Sequence, residues 1–163
     1  MWRGSTIRDE PCLETALHHN KEMASVTSES ELLDCFRKID RREVELSPDL
    51  TLPLTVDDVL AWTVGPRAFL LLRNGPDDRP RGIVFGRNPG VMPTIIAMCD
   101  WCHSVRGHGA IKLMSVSVDK HRTIGVYLCS DLGCMARARE LPTPNSASRT
   151  LARIREFASR CVF

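Results

Sequence analysis

The sequence predicts an α+β fold: a small antiparallel sheet, helices flanking it in the chain, and a compact cysteine-held module in the C-terminal half. Three observations lead there. Apolar runs of strand length recur between residues 68 and 128, parted by turns rich in Gly and Pro. Two stretches, one near residue 30 and one at the C-terminus, repeat apolar side chains at helical spacing. Two close cysteine pairs bracket the longest alternating segment.

Composition sets the bounds. The 163 residues, 43% apolar and 26% charged, suit one globular domain with or without a small appended module. No apolar run approaches the roughly 20 residues that span a bilayer. The opening residues lack the apolar core of a secretory signal, which points to a cytoplasmic protein. Seven cysteines are many for a reducing compartment unless some hold metal. Charge divides along the chain. Residues 1–98 carry 12 basic and 15 acidic side chains, a balance of −3, and residues 99–163 carry 10 and 5, a balance of +5. The second part could therefore face an acidic partner, although a mixed solvated surface accounts for the same counts.

Residues 1–26 show no period and read as a poorly structured segment in which His18 and His19 are polar tail residues. A helix is expected over residues 27–39. Ser28 and Glu31 have capping-box spacing, and Leu32, Cys35, Phe36 and Ile39 share one face. Cys35 there reads as a small buried hydrophobe. Pro48, Pro53 and the Gly65-Pro66 pair break any longer helix. A short helix over Thr55–Trp62 fits, with Thr55 as its cap, Asp57 and Asp58 in its first turn and Trp62 in the core. Residues 68–72 and 82–85 then read as a β-hairpin with a long connection, and residues 94–98 as a third strand. The chain ends in an amphipathic helix over residues 148–163. Leu151, Ile154, Phe157 and Cys161 form its stripe, with Arg149, Arg153, Arg155 and Arg160 opposite. Three regions result: the segment 1–26, a helix-plus-hairpin region 27–96, and a cysteine domain with its terminal helix, 97–163.

The chemistry lies in Cys99-Asp-Trp-Cys102, then 26 residues, then Cys129-Ser-Asp-Leu-Gly-Cys134. Each pair can present two thiolates on one tight turn, and the insert can fold back to join them, as a tetrahedral zinc site requires. The insert reads as two strands, 111–118 and 123–128, around a polar turn. Ser130 or Asp131 could cap a short helix running through Cys134 to about Arg139. Knuckle, hairpin and helix in this order describe a treble clef. A closed four-sulfur site is structural rather than catalytic. Arg106, Lys112, Arg122 and Arg137 are near enough in sequence to offset its charge.

Other readings fit parts of the pattern. Cys99-x-x-Cys102-His103 matches c-type haem attachment, but this leaves Cys129 and Cys134 unused. A thioredoxin-like pair has the same defect. A zinc deaminase would carry His-x-Glu, and none of the five histidines has a Glu two residues on. His103 could replace one cysteine, donate an N–H to the site or face solvent. Residues 106–109, Arg-Gly-His-Gly, lack the phosphate-loop pattern and read as a turn.

Cys99-x-x-Cys102-His103-Ser104, followed by Gly125-Val-Tyr127-Leu-Cys129-Ser-Asp131-Leu-x-Cys134, resembles the treble-clef zinc domain of the elongation factor G-binding proteins. These are the FusB-like group linked to fusidic acid resistance, whose domain is also called the fibronectin-binding protein (FBP) C-terminal domain. The resemblance is strongest over residues 97–140 and extends back to the first helix and forward to the last. It implies one structural Zn²⁺ on Cys99, Cys102, Cys129 and Cys134. It also implies a non-enzymatic, bacterial, cytoplasmic protein-binding module acting on elongation factor G or the ribosome. Lys112, Lys120, Arg122, Arg137 and Arg139 are the candidate contacts to an acidic partner surface. A zinc-dependent RNA- or ribosome-binding module is the alternative, although nine aromatic residues, few of them beside basic ones, offer little for base stacking. Neither a membrane nor a small-molecule substrate is expected.

Overall fold

A computed structural model describes residues 24–87, 96–107, 109–141 and 143–161. The elements run β1 (Ala24–Val26), α1 (Glu29–Cys35), a 3-10 turn (Arg41–Glu43), β2 (Leu54–Val56), β3 (Val59–Val64), β4 (Arg67–Leu72), β5 (Arg81–Arg87), β6 (Ala97–Met98), β7 (Val105–Arg106), β8 (Ile111–Ser117), β9 (Thr123–Cys129), α2 (Cys134–Glu140) and α3 (Ser146–Cys161). The expected α+β class holds. The main sheet has five antiparallel strands in the order β3-β4-β5-β8-β9, and β1-β2 and β6-β7 form two small ribbons.

One face of the sheet is buried along its length, and the other is buried over β3, β4 and β5. Ala68, Leu70 and Leu72 of β4 point into a core shared with Phe85, Met114, Val116, Leu128 and the α3 residues Ile154 and Ala158. Phe69 and Leu71, alternating with them, point into a second core with Leu32, Phe36, Trp62 and Val84. A strand covered on both sides has no polar face, which is why residues 68–72 read as one continuous apolar run. The hairpin β4-β5 has the long connection that Gly75, Pro76 and Pro80 signalled, with Leu72 opposite Arg81. The sheet also crosses residue 97, because β5 pairs with β8 at Gly86↔Ser115 and Arg87↔Met114.

Several expectations are corrected. Residues 55–62 form no helix: they fall in β2, a turn and β3. Asp57 and Asp58 occupy the tight connection between the two strands and face Arg139 at 3.5 Å and Arg155 at 3.6 Å. Gly65-Pro66 is the turn of hairpin β3-β4, with Val64 opposite Arg67 and Gly65 at φ +51°, the left-handed start that such a turn needs. Trp62 is in the core as expected, its Nε1 donating to the Glu45 carbonyl at 2.8 Å.

The first helix is a turn shorter than its pattern. Ser28 caps it by accepting the Glu31 N–H at 3.2 Å, while the Glu31 carboxylate reaches one residue past the cap to Thr27 N at 2.7 Å. The chain turns extended at Phe36, whose ring enters the core, and Ile39 is left 60% exposed. Cys35 is buried on the helix face, as expected. Residues 24–26, assigned by sequence to the unstructured segment, pair with β2 as strand β1. Of the strand expected over 94–98, only Ala97–Met98 is a strand, and Thr94 and Ile95 lie outside the described residues, as do His18 and His19. In α3 the fully buried stripe is Thr150, Ile154 and Ala158, with Leu151 and Phe157 half-buried beside it. Two of the four arginines are not on a solvated face. Arg153 donates to the Trp101 carbonyl at 2.9 Å, and Arg155 to the Arg73 carbonyl at 3.0 Å.

Gly82 on β5 marks a close approach. A Cβ there would lie 2.4 Å from the ring of Phe36. That ring is held edge-on to both Trp62 and Phe69, each at 6.4 Å, so it cannot step aside. Gly82→Ala is therefore expected to lower stability by about 1–3 kcal/mol through overpacking. Chemical denaturation checks this, and an unchanged midpoint would contradict the packing described.

Candidate metal centre

The first cysteine pair sits in a knuckle between β6 and β7, which pair at Met98↔Val105. The turn closes on itself: Cys99 N donates to the Ser104 carbonyl and His103 N to the Cys99 carbonyl, each at 2.9 Å. The main-chain N–H groups of Trp101 and Cys102 are turned onto the Cys99 sulfur, where they favour a thiolate. His103 takes φ +57°, and its exposed side chain is outside the sulfur cluster. The two residues inside the knuckle anchor it on opposite sides. Asp100 bridges to β9: its N–H donates to the Tyr127 carbonyl, and its Oδ2 accepts the Tyr127 N–H, both at 2.8 Å. Trp101 is buried against Phe85 and Phe157, with ring centroids 5.8 and 5.7 Å away.

The second pair comes from a strand end and a helix start, as expected. Cys129 closes β9, and Cys134 is the first residue of α2. The loop between them turns at Leu132, φ +53°. Neither Ser130 nor Asp131 is the helix cap, a position that Gly133 takes without a side-chain bond. Asp131 instead braces the loop, accepting the Gly133 N–H at 3.0 Å and facing Arg137 at 2.7 Å.

These elements bring Cys99, Cys102, Cys129 and Cys134 together, all four buried, with sulfurs within 4.8 Å of one another. Cys99 and Cys134 are 3.6 Å apart, as are Cys102 and Cys129. Zn–S bonds of about 2.3 Å in a tetrahedron put sulfurs about 3.8 Å apart, whereas a disulfide needs about 2.05 Å. The donor set therefore fits one structural Zn²⁺, with four protein ligands and no open position. Four thiolates this close cannot all stay charged without a cation. Hydrogen bonds from Cys134 and Cys99 hold the Cys129 thiolate far below the ordinary thiol range. Its hydrogen bond to Cys129 pushes Cys99 up to about 11. Cys134 is pushed up as well, first by Cys129, then by Cys99 and by burial. A divalent ion removes this competition by taking the place of the shared protons.

Around the sulfurs lie groups that spacing alone does not reveal. Ser104 Oγ is 3.1 Å from the Cys102 sulfur and 3.7 Å from that of Cys129. Arg137 is bound by Asp131 first and then by the Cys129 sulfur, and both raise its pKa. Of the four cations near in sequence, Arg137 is therefore the one that offsets the sulfur charge. Arg122 cannot, because it precedes β9 at the opposite end from Cys129, roughly 20 Å away along the strand. The five candidate contact residues are likewise dispersed. Lys120 and Arg122 lie in the β8-β9 turn, Lys112 near the start of β8, and Arg137 and Arg139 on α2.

The model of the FBP C-terminal treble-clef zinc-finger family matches residues 30–160, most of the chain. The chain belongs to that family. The match takes in α1 and the β4-β5 hairpin as well as the cysteine module. No curated protein and no solved structure matches the chain.

Metal analysis is expected to find one zinc per chain, and Cys102→Ser or Cys134→Ser to abolish stoichiometric binding. Release to a chromogenic chelator should rise as pH falls, because protons compete for thiolates. Arg137→Gln is expected to weaken zinc affinity by about tenfold or more, since it removes a charge that stabilises the thiolates. His103→Asn should keep full zinc content, since Asn tolerates the left-handed turn, while His103→Val should cost about 1–2 kcal/mol of stability. Loss of zinc in His103→Asn would make His103 a ligand.

Proposed function

We propose that this member of the family is a non-enzymatic, cytoplasmic protein-interaction module, stabilised by one zinc ion and acting on the translation machinery, with elongation factor G as its partner. The closed four-sulfur shell supports a structural rather than a reactive ion. What carries the reading is the surface that the same module exposes. Met98 and Val105, 51% and 61% exposed, are cross-strand partners on the knuckle ribbon. Leu113 and Tyr127, 40% and 49% exposed, are cross-strand partners on β8-β9. Apolar pairs left in solvent on ribbons that meet at the cysteines are the mark of a protein contact.

Lys112, beside Leu113 on β8, and Lys120 and Arg122, in the β8-β9 turn, supply the basic contacts of this hairpin, whereas Arg139 lies apart on α2 and faces Asp57 at 3.5 Å. Arg137 is occupied by Asp131 and Cys129 and serves the metal site instead. Among the described residues Tyr127 is the one exposed aromatic side chain, too few for a base-stacking platform and therefore in favour of a protein over RNA.

Pull-down of purified elongation factor G by the zinc-loaded chain is expected at low salt and should weaken in 0.5 M salt as the basic contacts are screened. Met98→Asp and Tyr127→Asp should abolish it without loss of zinc. No complex at low salt removes this partner. An RNA mobility shift that falls steeply with salt, in the absence of any protein complex, favours the RNA-binding alternative.

A further inference from the structure

We infer that the free edge of β9 is a docking strand for an extended, acidic segment of a partner protein. The inference rests on the protein-binding reading above and names the kind of segment that is taken.

β9 is the last strand of the main sheet. Both main-chain groups of Tyr127 turn away from β8, since both are engaged by Asp100. In an antiparallel ladder this orientation recurs at every second residue. Gly125 and Thr123 therefore also direct their N–H and C=O groups outward. Both residues are exposed, and no hydrogen bond from these groups to a described residue exists. Of the four outward positions on β9, Asp100 covers Tyr127, and Cys129 at the strand end gives its carbonyl to the Leu132 N–H, so Thr123 and Gly125 are left, enough for up to four main-chain hydrogen bonds to an added strand.

A groove of about 430 Å³ runs beside this edge and reaches α3. Trp101 and Phe157 line it, with Arg122, Arg153 and Arg160 around them. Two acids share the groove. Asp100 is held to Tyr127, and Glu156 faces Arg160 at 3.6 Å in an exposed pair. Arg122 and Arg160 are 62% and 75% exposed, so their ion pairs with Asp119 and Glu156 are weak and exchangeable. A strand pairing with Gly125 and Thr123 would place alternate side chains toward the aromatic wall and among the arginines. Acidic residues in an extended segment suit those arginines. The Trp101 ring is buried, so it offers no open face to a nucleotide base.

The test is a titration of the ¹⁵N-labelled, zinc-loaded full chain with a seven-residue peptide alternating glutamate and valine. The largest amide shifts are expected at residues 123–127, with slowed hydrogen exchange at Gly125. The counterpart with lysine in place of glutamate should not bind. Arg122→Glu combined with Arg160→Glu, both at exposed positions, should weaken binding about tenfold. Thr123→Pro, at the first residue of the strand where proline is tolerated, should also weaken it by removing an outward N–H. No shift at β9 while elongation factor G is still pulled down overturns the edge proposal and leaves the protein-binding reading standing. Shifts confined to another surface, pairing of two copies of the chain through β9, or stronger shifts of the same amides by an oligouridine would each overturn it as well.

Discussion

Four sulfurs lie within 4.8 Å of one another in the interior, and every one of them is buried. That is a poor arrangement for thiolates and an unremarkable one for thiols, which could pack as small apolar groups. What distinguishes it from packing is the number of donors aimed at the sulfurs: the Trp101 and Cys102 N–H groups at Cys99, the Ser104 hydroxyl, placed between Cys102 and Cys129 with one proton to give, and Arg137 at Cys129. Donors stabilise the charged form of sulfur. A set of buried thiols with such surroundings has a latent demand for a cation. Binding a structural Zn²⁺ is worth about 10–16 kcal/mol in small zinc modules, comparable to the whole stability of an ordinary domain.

The demand is transmitted to the rest of the fold through the knuckle. Its two inner residues divide the task. Asp100 holds the knuckle to the outer edge of β9, and Trp101 holds it to Phe85 of β5 and Phe157 of α3. Cys129 extends β9 directly, and Cys134 opens α2. The ion therefore ties the last strand of the sheet, the core beneath it and both C-terminal helices to one point. The opposite face of the sheet is independent of it. There α1, β1 and β2 close over Phe69 and Leu71 with aliphatic and aromatic packing, pinned by hydrogen bonds from Trp62 to the Glu45 carbonyl and from Arg73 to the Val56 carbonyl. One layer of the domain is held by coordination and the other by apolar burial, with β4 contributing alternate side chains to both.

The metal site was the most legible part of the sequence because its information is local. Cysteine spacing, a hairpin-length insert and one helix start suffice to specify it. The same holds for the β4-β5 and β8-β9 hairpins, whose periods and turns are written in adjacent residues. Residues 55–62 failed because their local signals conflict. Asp57 and Asp58 look like a helix start, yet their role is set by Arg139 and Arg155, which lie more than 80 residues away. The β-branched and aromatic run that follows, Val59–Val64, carries the strand preference that decided the outcome. Ile39 misled for a different reason. It continues the helical spacing, but the chain leaves the helix at Phe36 because that ring has a place to go, over Gly82 and between Trp62 and Phe69. Ser104 and Asp100 could not be found by spacing, since their importance lies in what they face.

The positive balance of residues 99–163 shows how far a charge count can carry. It treats every cation as equally available, and the fold sorts them. Arg137 is bound to Asp131 and the sulfur of Cys129, Arg139 to Asp57, Arg153 to the Trp101 carbonyl, and Arg155 to Asp58 and the Arg73 carbonyl. Three of these four reach main-chain oxygens or buried sulfur, where a guanidinium donates several directed hydrogen bonds that a lysine could not reproduce. Their charge serves the architecture. Of the cations that remain toward solvent, Arg122 and Arg160 are paired with exposed carboxylates of their own neighbourhood, Asp119 and Glu156. Such pairs dissolve readily when a better acceptor arrives. The basic character visible in the sequence is thus narrowed by the structure to a few side chains, two of which border the one strand edge of the main sheet that lies against the metal module.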